Sequence, residues 1–388
     1  MRRNPLPLAC FAAAAVMLGG CARHSGDTIR IGVIAELTGA IPAVGASCRN
    51  AAQLAAKEIN DAGGIEIGGK KKMIELVIED TAAKADQAAA AVQKVITRDE
   101  VAAIVGPNSS SNALPAAEIA EKGGVVMIAP WSTNPKTTLD AQTNLPKQFV
   151  FRACFTDMFQ GHVLGKFASE TLKAKKAAML YDVASEVLKS QSELFKQSFE
   201  AGGGKVVAVE TYTTGDKDFS AQLTKIKKAG PDIVFLPSYY TDVPLQVQQA
   251  HRLGLKVPFL GSDAWSTEEL IKMCGKDCDG FYLSNHYSPQ TTNPVTRRFI
   301  DSYQAAYHSV PDDVAALTYD SFGLLRQALV AAKTTDRRAI RDALSRTTDY
   351  QGVTGNMRFT AGSGDPVKGA VILQIKDDKF VWVTDVQP

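Results

Sequence analysis

Two polar loops carry the side chains best suited to chemistry. Residues 106–112 read GPNSSSN and residues 130–135 read PWSTNP. Ser109, Ser110 and Ser111 offer three hydroxyls where a helix begins, and the first turn of a helix leaves backbone N–H groups free. Hydroxyls and free N–H groups together suit a carboxylate or another small anion. The second loop adds Ser132 and Thr133 beside Trp131. The same serines also suit an ordinary helix cap, since Ser and Asn are favoured there. Catalysis has less support. A hydrolase elbow reads GxSxG, which GPNSSSN does not, and none of the five histidines stands in a motif. Gly202-Gly203-Gly204 follows a helix rather than a strand, so it is no phosphate loop. Cys274 and Cys278 form a lone CxxxC with no second ligand pair nearby, a weak zinc signal.

The elements that must hold these loops follow from periodicity. Val101–Val105 and Val125–Ala129 are short apolar runs, as expected of strands buried on both faces of a parallel sheet. The helix between them begins near Ser110–Asn112, with Pro115 in its first turn. Before it come a strand in Asp27–Thr38, a helix from about Ser47 to Asp61, a strand over Met73–Asp80 and an alanine-rich helix over Ala82–Thr97. Lys70–Lys72 reads as a turn. The run from 29 to 129 is thus four strands with three helical crossovers, a doubly wound sheet whose loops bind ligands at the carboxyl edge. A second α/β unit follows, with strands near 177–181, 205–211, 232–236, 257–260 and 279–283. Its helices fall near 158–172, 186–201, 218–229, 242–253 and 266–273. Residues 294–348 are helical, and strands near 356–360, 368–375 and 379–384 end the chain.

The chain has 388 residues, a length for two or three domains. Its net charge of +2 argues against electrostatically driven nucleic-acid binding. Residues 1–20 form a leader: Arg2 and Arg3 precede an apolar run too short to span a membrane. Cys21 directly after Leu18-Gly19-Gly20 suits lipidation, with 22–27 as the remaining tether. Four cysteines remain after Cys10 and Cys21. A local Cys274–Cys278 bridge fits the Gly/Asp-rich turn, while Cys48 and Cys154 either pair or stay free.

The stretch VGPNSSSNALPAAEIAEKGGVVMIAP, with STNP after it, resembles the leucine/isoleucine/valine-binding proteins, receptors of bacterial ABC importers and type I periplasmic binding proteins. The segment FVFRACFTDMFQG is also similar, at the place where such chains first cross between lobes. The resemblance implies an α/β fold of two Rossmann-like lobes joined by a three-segment hinge. Lobe one is expected at 28–155 plus 287–351, and lobe two at 156–286 plus 352–388. It further implies an amino-acid site. Ser110 would hold the ligand carboxylate, the Trp131 carbonyl would meet the ammonium, and Thr133 would contact both charged ends. From lobe two, Tyr239 would line the pocket and Asp263 would pair with the ammonium. As a Ser-flanked Asp before a helix, Asp263 also suits an N-cap.

Two places depart from the leucine-type pattern. Val44 stands where a pocket tyrosine is expected, and Glu186–Val187 where an aromatic is expected. A Glu186 at the cleft would favour a more polar ligand; as a first-turn glutamate it would simply suit the helix dipole. The expectation is a lipid-anchored periplasmic solute receptor, a monomer without cofactor or metal. It would bind an amino acid, branched-chain or aliphatic first and aromatic next, and deliver it to ABC permease subunits. The rivals are a sensor of the same fold for an amide or aromatic acid, and a hydrolase.

Overall fold

The computed structural model describes Met1 and residues 28–387. The leader, the tether and Cys21 therefore lie outside the described residues. The first sheet contains β1 (Thr28–Ala35), β2 (Ile65–Ile67), β3 (Lys70–Asp80), β4 (Ala103–Val105), β5 (Val126–Ala129) and β6 (Val150–Arg152). Their order is β2-β3-β1-β4-β5-β6. All neighbours run parallel except the β2–β3 hairpin. Lys70–Lys72 are thus strand, not turn. The turn is Gly68-Gly69, both at positive φ, which suits a two-residue hairpin.

Strand side chains alternate between two cores. Ile34, Ile104 and Met127 pack with Ala91, Val92, Ala113 and Ala116, from α2 (Ala85–Thr97) and α3 (Ser110–Gly123). Val33, Val105 and Ile128 face the other way, into a core that includes Cys48 and Ala52 of α1 (Pro42–Asp61). The first helix starts at Pro42, earlier than the expected Ser47, because proline's fixed φ suits the first helical position.

The second unit holds α4 (Asp157–Lys166), β7 (Lys176–Asp182), α5 (Glu186–Ala201), β8 (Lys205–Tyr212), α6 (Ser220–Ala229), β9 (Ile233–Phe235), α7 (Val243–Arg252), β10 (Phe259–Gly261), α8 (Glu268–Cys274) and β11 (Tyr282–Asn285). The chain then returns to the first sheet as α9 (Pro294–Tyr307), α10 (Asp313–Ala332) and α11 (Arg337–Ser345). Leu324 and Leu325 of α10 join the α1 core. Next, β12 (Tyr350–Gly352), β13 (Gly355–Phe359) and β14 (Pro366–Val367) make a small antiparallel sheet. It docks on the first sheet: Phe359 meets Phe151 edge-on at 5.4 Å, and the Arg152 N–H donates to Gly364 O at 2.9 Å. Finally β15 (Ala370–Lys376) and β16 (Lys379–Val386) complete the second sheet, ordered β16-β15-β11-β10-β9-β7-β8. The chain thus rejoins that sheet at Ala370 rather than at 352.

The chain passes between the sheets three times: after β6, after β11 and before β15. The buried Lys368 ties the first passage to the third, its Nζ donating to Ala153 O at 3.0 Å and Thr354 Oγ1 at 2.8 Å. Cys274 and Cys278 are disulfide-bonded. Cys48 and Cys154 are free and buried, and burial pushes both thiols up to about 12.

Candidate functional site

The lobe-one side of the site is built on a buried carboxylate. Glu36, at the end of β1, accepts from Asn108 N at 3.1 Å and Nδ2 at 2.9 Å, Ser109 N at 3.0 Å and Oγ at 3.1 Å, and Asn112 Nδ2 at 3.1 Å. Such a charge is stable when buried because both carboxylate oxygens meet donors, four on Oε1 and one on Oε2. The loop reaches it through Gly106, at φ 96°, where a Cβ would lie 2.0 Å from Ile34 O. Ser109 therefore stands at the N-cap position without capping, its hydroxyl turned to Glu36. Ser110 opens α3, and its Oγ accepts from Ser132 Oγ at 3.1 Å and Asn134 N at 3.4 Å.

The second loop hangs on a buried cation. Arg152 is fully buried and donates to Ser132 O at 2.5 Å, Asn134 O at 2.9 Å, Thr138 Oγ1 at 2.9 Å and Asp365 Oδ1 at 2.6 Å. The planar guanidinium fixes several acceptors at once, and so fixes Thr133 between two of them.

The opposite wall comes from lobe two and the hinge. Asp263 follows β10. Ser262 accepts from Ala264 N and Thr267 caps α8, so Asp263 is not spent on capping. Its Oδ1 accepts from Gln160 Nε2 at 2.7 Å, and its Oδ2 lies 3.1 Å from His286 Nε2. Burial pushes the Asp263 pKa up to about 7 and lowers that of His286 well below its ordinary value. The neutral imidazole stacks on Phe155 at 3.8 Å. Asp157 donates its N–H to Thr133 O at 2.9 Å and accepts from Gln191 Nε2 at 3.1 Å. Burial pushes the Asp157 carboxyl up to about 6. Asp313, in the first turn of α10, accepts from Trp131 Nε1 at 2.9 Å. Burial, then the neighbouring Asp312 and Asp263, raise its pKa well above the usual range.

Ser110, Trp131, Thr133, Tyr239 and Asp263 line one cavity of about 20 Å³, together with Ser109, Val187, Leu188, Gln191 and Ala264. That is room for about one water; the lobes are closed on it. The Trp131 and Tyr239 rings meet across it at 6.4 Å. Two expected positions stand apart. Val44 is fully buried in the core under α1 and is not among the lining residues. Glu186 opens α5, and its side chain lies outside the described residues; Val187 takes the wall. Sequence reasoning missed Glu36, Asp157, Gln191, His286 and Asp313 as site residues. Asp312 caps α10, accepting from Ala315 N at 2.8 Å, and nothing local marks Asp313. Asp263, His286 and Asp313 bring one ligand-type atom each within 4.8 Å of one another, a cluster able to hold a cation.

The family description "Periplasmic binding protein" matches residues 28–379. The leucine-, isoleucine-, valine-, threonine-, and alanine-binding protein of Pseudomonas aeruginosa is 31% identical over 89% of this chain and 90% of its own. The branched-chain amino acid transporter substrate binding protein LivJ of Streptococcus pneumoniae, solved with isoleucine, is 34% identical, with a TM-score of 0.84 over 93% of this chain and 100% of its own. The leucine binding protein LivK of Thermotoga maritima is 32% identical, with a TM-score of 0.86 over 93% and 99%.

Proposed function

The chain belongs to the periplasmic binding protein family, and from that premise we propose that it captures an α-amino acid and delivers it to the permease of an ABC importer. Its place is extracytoplasmic. Cys21 is the proposed lipid attachment point, and the two lobes are proposed to close as a monomer. The branched-chain amino acids named for its relatives are the first ligands to test. One observation carries the reading: Ser110 and Thr133, at a helix N-terminus and a strand end of lobe one, share a cavity with Asp263 and Tyr239 of lobe two.

The roles follow from that pairing. Hydroxyls and helix-start N–H groups receive the ligand carboxylate. The Asp263 carboxylate, held by Gln160 and His286, receives the ammonium, while Trp131 and Tyr239 enclose the side chain. Closure follows because only the closed form presents both ends, so the ligand shifts the equilibrium by its differential affinity. The test is a thermal-shift screen of the ligand-stripped protein against all amino acids and a panel of aromatic and short-chain acids. A ligand at a hundred times its Kd stabilises by about 2.7 kcal/mol. Hits confined to α-amino acids are expected; hits only on acids lacking an amine would remove Asp263 from its role.

A further inference from the structure

Most of the buried polar atoms left without partners around this cleft are acceptors; the Trp265 indole N–H, two residues past Asp263, is a donor, and one more is a histidine ring nitrogen. Asp313 is 1% exposed; its Oδ2 takes the Trp131 indole N–H, and its Oδ1 has no partner. Gln160 and Gln191 give their amide N–H groups to Asp263 and Asp157 and leave both Oε1 atoms unpartnered. Asp157 Oδ2 is unpartnered too. The ring nitrogen is His286 Nδ1. Among the described residues, no Lys or Arg lies within ion-pair distance of Asp157, Asp263 or Asp313; the basic group that reaches Asp263 is His286. A buried acceptor without a donor is destabilising, more so when charged. An α-ammonium brings only three donors, and Asp263 takes the first of them. Asp157 Oδ2, Gln160 Oε1, Gln191 Oε1 and Asp313 Oδ1 then compete for the rest, so an aliphatic amino acid leaves acceptors unmet.

We propose that Asp313 is a specificity-determining residue that selects amino acids whose side chain ends in a hydrogen-bond donor, an ammonium first, over their apolar isosteres. This rests on the amino-acid reading above and narrows its ligand class. The Trp131 indole holds Asp313 in one orientation behind the wall that Trp131 forms, and a carboxylate oxygen of Asp313 lies within 4.8 Å of one on Asp263, which lines the cavity. A site built to accept from a ligand donor discriminates strongly against the analogue that lacks it, because the acceptor is then stranded.

Isosteric pairs isolate the donor from size: ornithine against norleucine, and threonine against valine. Calorimetric titration of the ligand-stripped full chain with each is expected to show the donor member binding about ten- to a hundredfold tighter. Asp313→Leu is expected to erase or reverse both preferences. In Asp313→Asn the carbonyl oxygen stays with the Trp131 N–H and Nδ2 takes the place of the free oxygen; a threonine hydroxyl can accept from it and an ornithine ammonium cannot, so the threonine preference should persist and most of the ornithine one be lost. That variant also guards against a fold defect, read by its melting curve. Equal or tighter binding of norleucine and valine would overturn the proposal while leaving the amino-acid receptor intact. If none of the four binds while other amino acids do, the proposal is overturned and the receptor reading stands; if no amino acid binds, both fail. If zinc chloride alone shifts the melting temperature, and Asp313→Asn abolishes that shift, the cluster is a metal site and the proposal is overturned.

Discussion

The two walls of the site are held in opposite ways. On the lobe-one side, Glu36 meets five donors and Arg152 meets backbone and side-chain acceptors in two loops. Those two anchoring charges are paired within their own wall, while Asn108 and Asn112 each keep a buried Oδ1 without a donor. On the facing side, Asp157 and Asp263 are buried with raised pKa values, and Asp157 keeps an oxygen without a donor; Asp313, brought to the site by α10 from lobe one, shares both traits. That wall is left for a ligand to complete. A receptor gains from the asymmetry. A preorganised wall fixes where one end of the ligand goes, and an unsatisfied wall makes closure depend on the ligand's arrival.

Mutations separate the two walls. The largest effect is expected from Glu36→Ala, which strands five donors. It should lower unfolding stability by about 3–5 kcal/mol, the range for breaking a buried charged network. Denaturant melts of the ligand-free protein measure it; a loss under about 1 kcal/mol would mean that wall is not self-held. Asp263→Ala is expected to do the reverse, weakening amino-acid binding by about 2–5 kcal/mol without lowering ligand-free stability. A loss of affinity below tenfold in titration would count against its ammonium role.

The same contrast predicts a pH dependence. Asp263 titrates near 3.8 when unfolded and at about 7 when folded, so between those values the folded chain binds more protons. Its contribution to ligand-free stability is therefore greatest at low pH and falls as pH rises from about 4 to about 7. Affinity runs the other way, because the ammonium pairs with the carboxylate: binding should weaken by up to about tenfold per unit below about pH 7. Titrations at pH 5.5 and 8 with equal affinity would contradict this. The smallest effect is expected at Ser110→Ala, about 1 kcal/mol for one neutral hydrogen bond. It should be larger for amino acids than for their amides; equal losses would reduce Ser110 to helix packing.

What the sequence made legible tracks how local each feature is. The strand-loop-helix run at 101–135 shows its apolar strands, its serines and its proline in one stretch, and the structure places α3 where the composition predicts. Tyr239 and Asp263 stand at the ends of short apolar strands, where a parallel sheet presents its loops. Glu36 was hidden because a carboxylate closing a strand looks like any strand end until Asn108, Ser109 and Asn112 fold over it. Asp313 and His286 were hidden because they come from a returning helix and a crossover. Their neighbours, Trp131 and Asp263, are about 180 and 23 residues away. The β2–β3 hairpin was missed because three lysines read as solvent turn, whereas Lys70–Lys72 pair with β2 beyond the end of β1, where Lys70 and Lys71 stay exposed.

Lys368 has a mechanical consequence. Buried, with its pKa pushed down to about 8 by that burial, it pins the first and third passages between the lobes to each other. Two pinned leaves cannot shear or twist independently, so the torsional change on opening must concentrate in the remaining passage, 286–293. The expected motion is that of a door on a fixed pin rather than a ball in a socket. Opening should then carry His286 with the moving segment, so that the group steadying Asp263 engages as the door shuts. Spin labels across the cleft should report two discrete distances in Lys368 and a broad spread in Lys368→Met; a broad spread in both would remove the pin.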